Sequence, residues 1–112
     1  IATILHPFVE ESMTHPENML AYEREALFGS VEHREKATSS VSRVEQAILQ
    51  VLLLHQAKPR DPSADLEDIA HTIYAVLYLD IVKVITGRSA KADLPARIRC
   101  SVDFLTGALL KT

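Results

Sequence analysis

Five histidines, His6, His15, His33, His55 and His71, are the side chains here best placed to move protons or bind metals near neutral pH. Glu67 and His71 are four residues apart and Asp68 and His71 three apart, which puts all three on one side of any helix that contains them. Two such groups are part of a metal site, but a site needs three or four ligands, and no second matching pair occurs on another segment. The simpler reading of this cluster is a helix-surface pair or a hydrogen-bonded interior histidine, and it carries about nine parts in ten of the weight. Cys100 has only Arg97 and Arg99 nearby and no activating base, so it reads as a small buried hydrophobe. The sequence contains no Gly-x-Ser-x-Gly turn and no phosphate-cradling glycine loop. No nucleophile, base and orienting group can be assembled, and the expectation is a protein that is not an enzyme and needs no cofactor or metal.

The elements that must position these groups are helical. Three glycines and five prolines in 112 residues are too few for a turn-rich β fold, and 47% apolar residues are too many for a disordered tail. The periodicity predicts five helices. The first runs from Ile1 to about Glu11, with Ile4, Leu5 and Phe8 on one side, and Ser12–His15 forms a break. Pro16 then opens the second, about Pro16–Arg34, carrying Met19, Leu20, Glu23, Leu27 and Val31. A capping box of Ser42 with Glu45 starts the third, which runs to about Gln56 with Val44, Ala47, Ile48, Val51, Leu52 and His55 at helical spacing. Two prolines mark Lys58–Asp65 as a loop. Asp65, or Ser63, caps the fourth helix, and Gly87 ends it in a left-handed conformation. Asp93 caps the fifth, whose first turn holds Pro95. Its main stripe is Leu94, Ile98, Val102, Leu105 and Leu109, and Phe104, Gly107 and Ala108 make a second, smaller one.

The fourth segment, LEDIAHTIYAVLYLDIVKVI from Leu66 to Ile85, is unusual. From Ile69 onward it is apolar on nearly every side, which is more than one core requires. It is expected to pack on its own domain with one face and on a partner chain with the other. It does not read as a membrane span, because Glu67, Asp68, His71, Asp80 and Lys83 fall within it and each charge near a bilayer centre costs roughly 3 kcal/mol. The net charge of -3 and the lack of a basic run argue against direct phosphate binding, and the single cysteine suits a cytoplasmic setting. His55 and His71 are expected on the more apolar sides of neighbouring helices, where they serve equally well as polar anchors of a ligand cavity or as core groups with local partners. Tyr22, Tyr74 and Tyr78 leave the same two readings open. Phe8, Met13, Met19 and Phe28 suit either an adaptable pocket wall or ordinary core.

The order HPENMLAYEREALF, VSRVEQAILQVLLL, DLEDIAHTIYAVLYLDIVKVITGR and DLPARIRCSVDFLTGALL resembles the C-terminal regulatory half of a TetR-type transcriptional repressor over nearly the whole chain. The resemblance implies an all-α, five-helix regulatory bundle over residues 1–112. Its last two helices would pair with the same two of a second copy in a four-helix interface. It further implies a bacterial homodimer that binds a small apolar effector and couples that binding to release of DNA by an N-terminal helix-turn-helix head. Such a head would precede Ile1, which lies in an apolar run without a starting methionine. On this basis the effector pocket is expected among Phe8, Met19, Tyr22, Leu52, His55, His71 and Tyr74. The dimer seam is expected at Tyr78, Ile81, Ile85, Val102, Leu105 and Leu109, with Gly107 and Ala108 allowing close approach. The alternative is a helical protein-interaction module without a ligand.

Overall fold

A computed structural model describes the backbone of residues 2–17 and 31–111, with side chains described for residues 6–17 and 43–111. Among the described residues the regular elements are all helical: α1 (Ala2–Thr14), α2 (Val31–Leu54), α3 (Leu66–Ile85), a single 3-10 turn (Lys91–Asp93) and α4 (Leu94–Leu109). Most of the predicted second helix, including Met19 and Tyr22, lies outside the described residues. None of the described helices is long and apolar enough to cross a membrane.

Three boundaries differ from the sequence expectation, each for a local reason. α1 continues through Thr14, and Ser12 folds its hydroxyl back to donate to the Phe8 carbonyl at 2.9 Å instead of breaking the helix. The break falls at His15, where the following Pro16 disfavours helical backbone. The described part of α2 runs from Val31, so Ser42 lies mid-helix and not at the helix start that the sequence predicts. The charged Glu32–Lys36 run is rich in good helix formers, and the serines that follow cost only a few tenths of a kcal/mol each against them. The Asp93 side chain makes no capping bond. The preceding 3-10 turn already holds Asp93 in helical backbone, which removes the extended geometry that a capping side chain needs.

Other boundaries follow the sequence. The Asp65 carboxylate accepts from the Asp68 amide at 2.8 Å and starts α3. At its far end, the amides of Gly87 and Arg88 bond back to the carbonyls of Val84 and Lys83 at 3.1 and 2.7 Å, with Gly87 at φ +77°. α2 ends in the same motif, with the amides of Gln56 and Ala57 on the carbonyls of Leu53 and Leu52 at 3.0 and 2.9 Å. Here the left-handed position, φ 52°, is occupied by glutamine. A side chain there carries strain of about 1–2 kcal/mol. Gln56→Gly is therefore expected to stabilise the fold by about 1 kcal/mol, seen as a higher melting temperature. An unchanged or lower value would show that the turn holds no strain.

The core lies between α2, α3 and α4. Ile48 and Leu52 from α2, Ile69, Ala70, Ile73, Tyr74, Leu77 and Ile81 from α3, and Leu94, Ile98 and Val102 from α4 form one buried cluster, with Phe8, Val9 and Met13 of α1 packed against it. The predicted main stripe of α4 faces this core. The α2–α3 loop and the C-terminal tail are tied together. The Arg60 amide donates to Leu109 at 2.9 Å, the Lys111 amide to Lys58 at 2.8 Å, and the Arg60 guanidinium to the Gly107 carbonyl at 3.0 Å. In the same loop, the backbone amide and hydroxyl of Ser63 both donate to Asp61, which holds that carboxyl below its usual range.

Candidate functional site

Helical periodicity places two sets of groups on opposite sides of α3. On the side toward α1 and α2, Phe8, Tyr74 and Tyr78 form a row of rings, with centroids 6.0 Å apart for Phe8–Tyr74 and 6.1 Å for Tyr74–Tyr78, both tilted. Tyr74 and Leu52 are buried, and Phe8 and Tyr78 are half-buried. Of the predicted pocket residues, Leu52 and Tyr74 belong to the hydrophobic core cluster and Phe8 packs against it.

The two histidines depart from expectation. His55 follows the last residue of α2, where the chain turns out through Gln56, and it is exposed. His71 is exposed as well, with Nδ1 2.9 Å from Glu45 Oε1 of α2. Both were expected on apolar sides; the α2 terminus and the helical phase of α3 put them in solvent instead. Glu45, which sequence reasoning assigned to a cap, bridges α2 and α3 through His71. Its spacing from Ile48 and Leu52 was the available signal that it faces α3. Burial and the nearby Glu45 charge push the Tyr74 hydroxyl up from 10.0 to about 12.

The Tyr74 shift has a signed consequence. The folded state holds this proton more tightly than the unfolded state, so the contribution to stability is complete below pH 10.0 and fades as the pH rises toward about 12. Denaturant titrations across that window are expected to show falling stability, with a shallower slope in Tyr74→Phe. An equal slope in the variant would show that another group titrates.

The remaining histidines with described side chains form exposed local pairs, His6 with Glu10 at 3.5 Å and His15 with Glu17 at 3.4 Å. Among the described residues, no group of three or more His, Cys, Asp or Glu side chains is arranged to hold a metal ion.

The other side of α3 faces outward together with α4. Ser101 of α4 donates to the buried Asp80 of α3 at 2.9 Å, which fixes how the two antiparallel helices are rotated against each other. Rotating away from the core past Asp80 leads to Val76, Leu79 and Lys83. Rotating past Ser101 leads to Phe104, Ala108 and Gly107. Because the helices are antiparallel, these two sets share one outer surface. Leu79 is 49% exposed and Phe104 72% exposed on it.

The residues predicted for the seam divide by their burial within the single chain. Ile81 and Val102 are 0% and 7% exposed within the single chain and belong to its core, so neither presents a free surface. Tyr78, Ile85, Leu105 and Leu109 are half-buried against that core, while Gly107 and Ala108 are exposed as the smaller stripe predicted. Cys100, expected to be buried, is exposed one helical turn before Phe104. Because α3 carries apolar residues on nearly every side, its packing decides which of them point inward. Comparison of the chain with protein-family models, curated proteins and solved structures finds no match.

Proposed function

We propose that this chain is the effector-sensing and homodimerisation domain of a TetR-type transcriptional regulator. In this reading, binding of a small apolar ligand is coupled to DNA release by a helix-turn-helix head outside these 112 residues. The observation that carries the reading is the apolar outer surface of the α3–α4 pair, where Leu79 and Phe104 stand exposed beside Gly107 and Ala108. Large side chains beside small ones on one surface suit a self-complementary helix-pair contact. The Phe8–Tyr74–Tyr78 row on the opposite side of α3 supports an aromatic wall for the ligand, so that one helix would touch both effector and partner. Ligand binding would then act by favouring one arrangement of the helix pair over another.

The test is the solution mass of the pure chain by sedimentation equilibrium. A stable dimer is the expected result, and a monomer across the micromolar range would overturn the reading. A thermal-shift screen of apolar aromatic compounds tests the sensing half, with a rise in melting temperature expected for a bound compound. The solvent exposure of His55 and His71 favours a second reading, a helical interaction module without a ligand. A dimer whose stability none of the compounds changes would support it.

A further inference from the structure

The charges at the two ends of the outer surface differ in sign. Asp68, Thr72, Val76, Leu79 and Lys83 follow one another along α3 at steps of three and four residues, forming one row with an acid at its start and a base at its end. On α4, Arg97, Ser101, Phe104 and Ala108 form the neighbouring row and put a second base beside the Lys83 end. The wider sequence follows the same division. Residues 83 to 99 hold Lys83, Arg88, Lys91, Arg97 and Arg99 against one acid, Asp93, whereas residues 61 to 68 hold Asp61, Asp65, Glu67 and Asp68 and no base. Lys58, Arg60 and Lys111 also lie near the acidic end, on the loop and tail, with Arg60 already committed to the Gly107 carbonyl. Among the described residues, no ion pair engages Asp68, Lys83 or Arg97.

A face-to-face homodimer can place its two-fold axis within the interface in two simple ways. An axis running along the helices lays α3 over the partner's α4 with like ends together, so that Lys83 meets the partner's Arg97. An axis running across the helices lays α3 antiparallel over the partner's α3, with the middle of the row near Ala75 and Val76 on the axis. Asp68 and Lys83 are separated by about 22 Å along the helix. That exceeds the screening length of about 8–10 Å at physiological salt, so each end responds mainly to what lies directly opposite it.

Resting on the homodimer reading above, we infer that the two-fold axis runs across the helices, so that Asp68 of each copy faces Lys83 of the partner subunit around an apolar centre at Val76, Leu79 and Phe104. The second copy is the occupant this surface fits best, because turning it end for end matches acid to base at both ends. The charges then set the register of the seam, and the apolar centre supplies its affinity.

The test is a charge-swap series on the full chain, with dimer dissociation constants from sedimentation equilibrium and helix content from circular dichroism as the folding control. Lys83→Glu and Asp68→Lys are each expected to weaken the dimer roughly tenfold, since each breaks two symmetry-related pairs. The double variant K83E/D68K is expected to recover to within about threefold of the unmodified chain. The alternative axis gives the opposite sign: Lys83→Glu would place an acid against the partner's Arg97 and tighten the dimer. A tightened single variant, or a double variant weaker than either single one, overturns the inference while leaving the homodimer standing. An unmodified chain that is monomeric overturns the homodimer reading itself.

Discussion

Ile81→Ala is expected to lower the free energy of unfolding by about 2–5 kcal/mol, a large share of the roughly 5–15 kcal/mol that holds a domain of this size together. Ile81 is completely buried among residues of α2, α3 and α4 and is one of the largest such side chains in the core. Truncation removes its apolar contacts and leaves a cavity that three packed helices close only partly. The readout is a lower denaturant midpoint with an unchanged slope. Leu79→Ala, two residues earlier and on the outer surface, is expected to shift the monomer's stability by no more than about 0.5 kcal/mol. If Ile81→Ala instead kept its stability and lost only self-association, Ile81 would belong to the seam after all.

The reverse pattern is expected for Phe104→Glu. Phe104 is the most exposed aromatic side chain on the α3–α4 surface, and as an exposed helix residue it contributes little to the fold of one chain. In the proposed dimer it occurs twice near the centre of the contact, and a buried, unpaired carboxylate at both positions is costly. The dimer dissociation constant is expected to rise more than about a hundredfold, with helix content and monomer stability unchanged. Thermal unfolding of the unmodified chain should depend on protein concentration, and that of the variant should not. A Phe104→Glu protein that still dimerises as tightly would remove this surface from the contact.

The two variants also show where sequence reading succeeds and where it stops. The all-helical class, the limits of α3 and the main stripe of α4 were legible because each rests on local signals. These are the Asp65 cap, the glycine at Gly87 and a clean apolar repeat from Leu94 to Leu109. The rotation of α3 was not legible. A helix with apolar residues on nearly every side shows only a weak phase in its own sequence, and packing against α2 and α4, together with the Asp80–Ser101 bond, selects which of them turn inward. The same limit explains the histidines. His55 was read as part of an apolar stripe, but one residue with positive φ, Gln56, ends α2 just before it could join the core. Glu45 shows the opposite case: its local pattern with Ser42 resembled a cap, and a contact 26 residues away determines its role.

The ties between the C-terminal tail and the α2–α3 loop limit how the outer surface can move. Three hydrogen bonds, from the Arg60 amide, the Arg60 guanidinium and the Lys111 amide, anchor the end of α4 to the segment that leads into α3. A helix pinned at one end resists sliding along its axis, because sliding would break all three bonds together. Tilting about the pinned end breaks none of them. Tilting is checked at the far end, where the Asp80–Ser101 bond and the buried Leu94 and Ile98 hold α4 on α3, so the two helices are fastened at both ends and move as one unit.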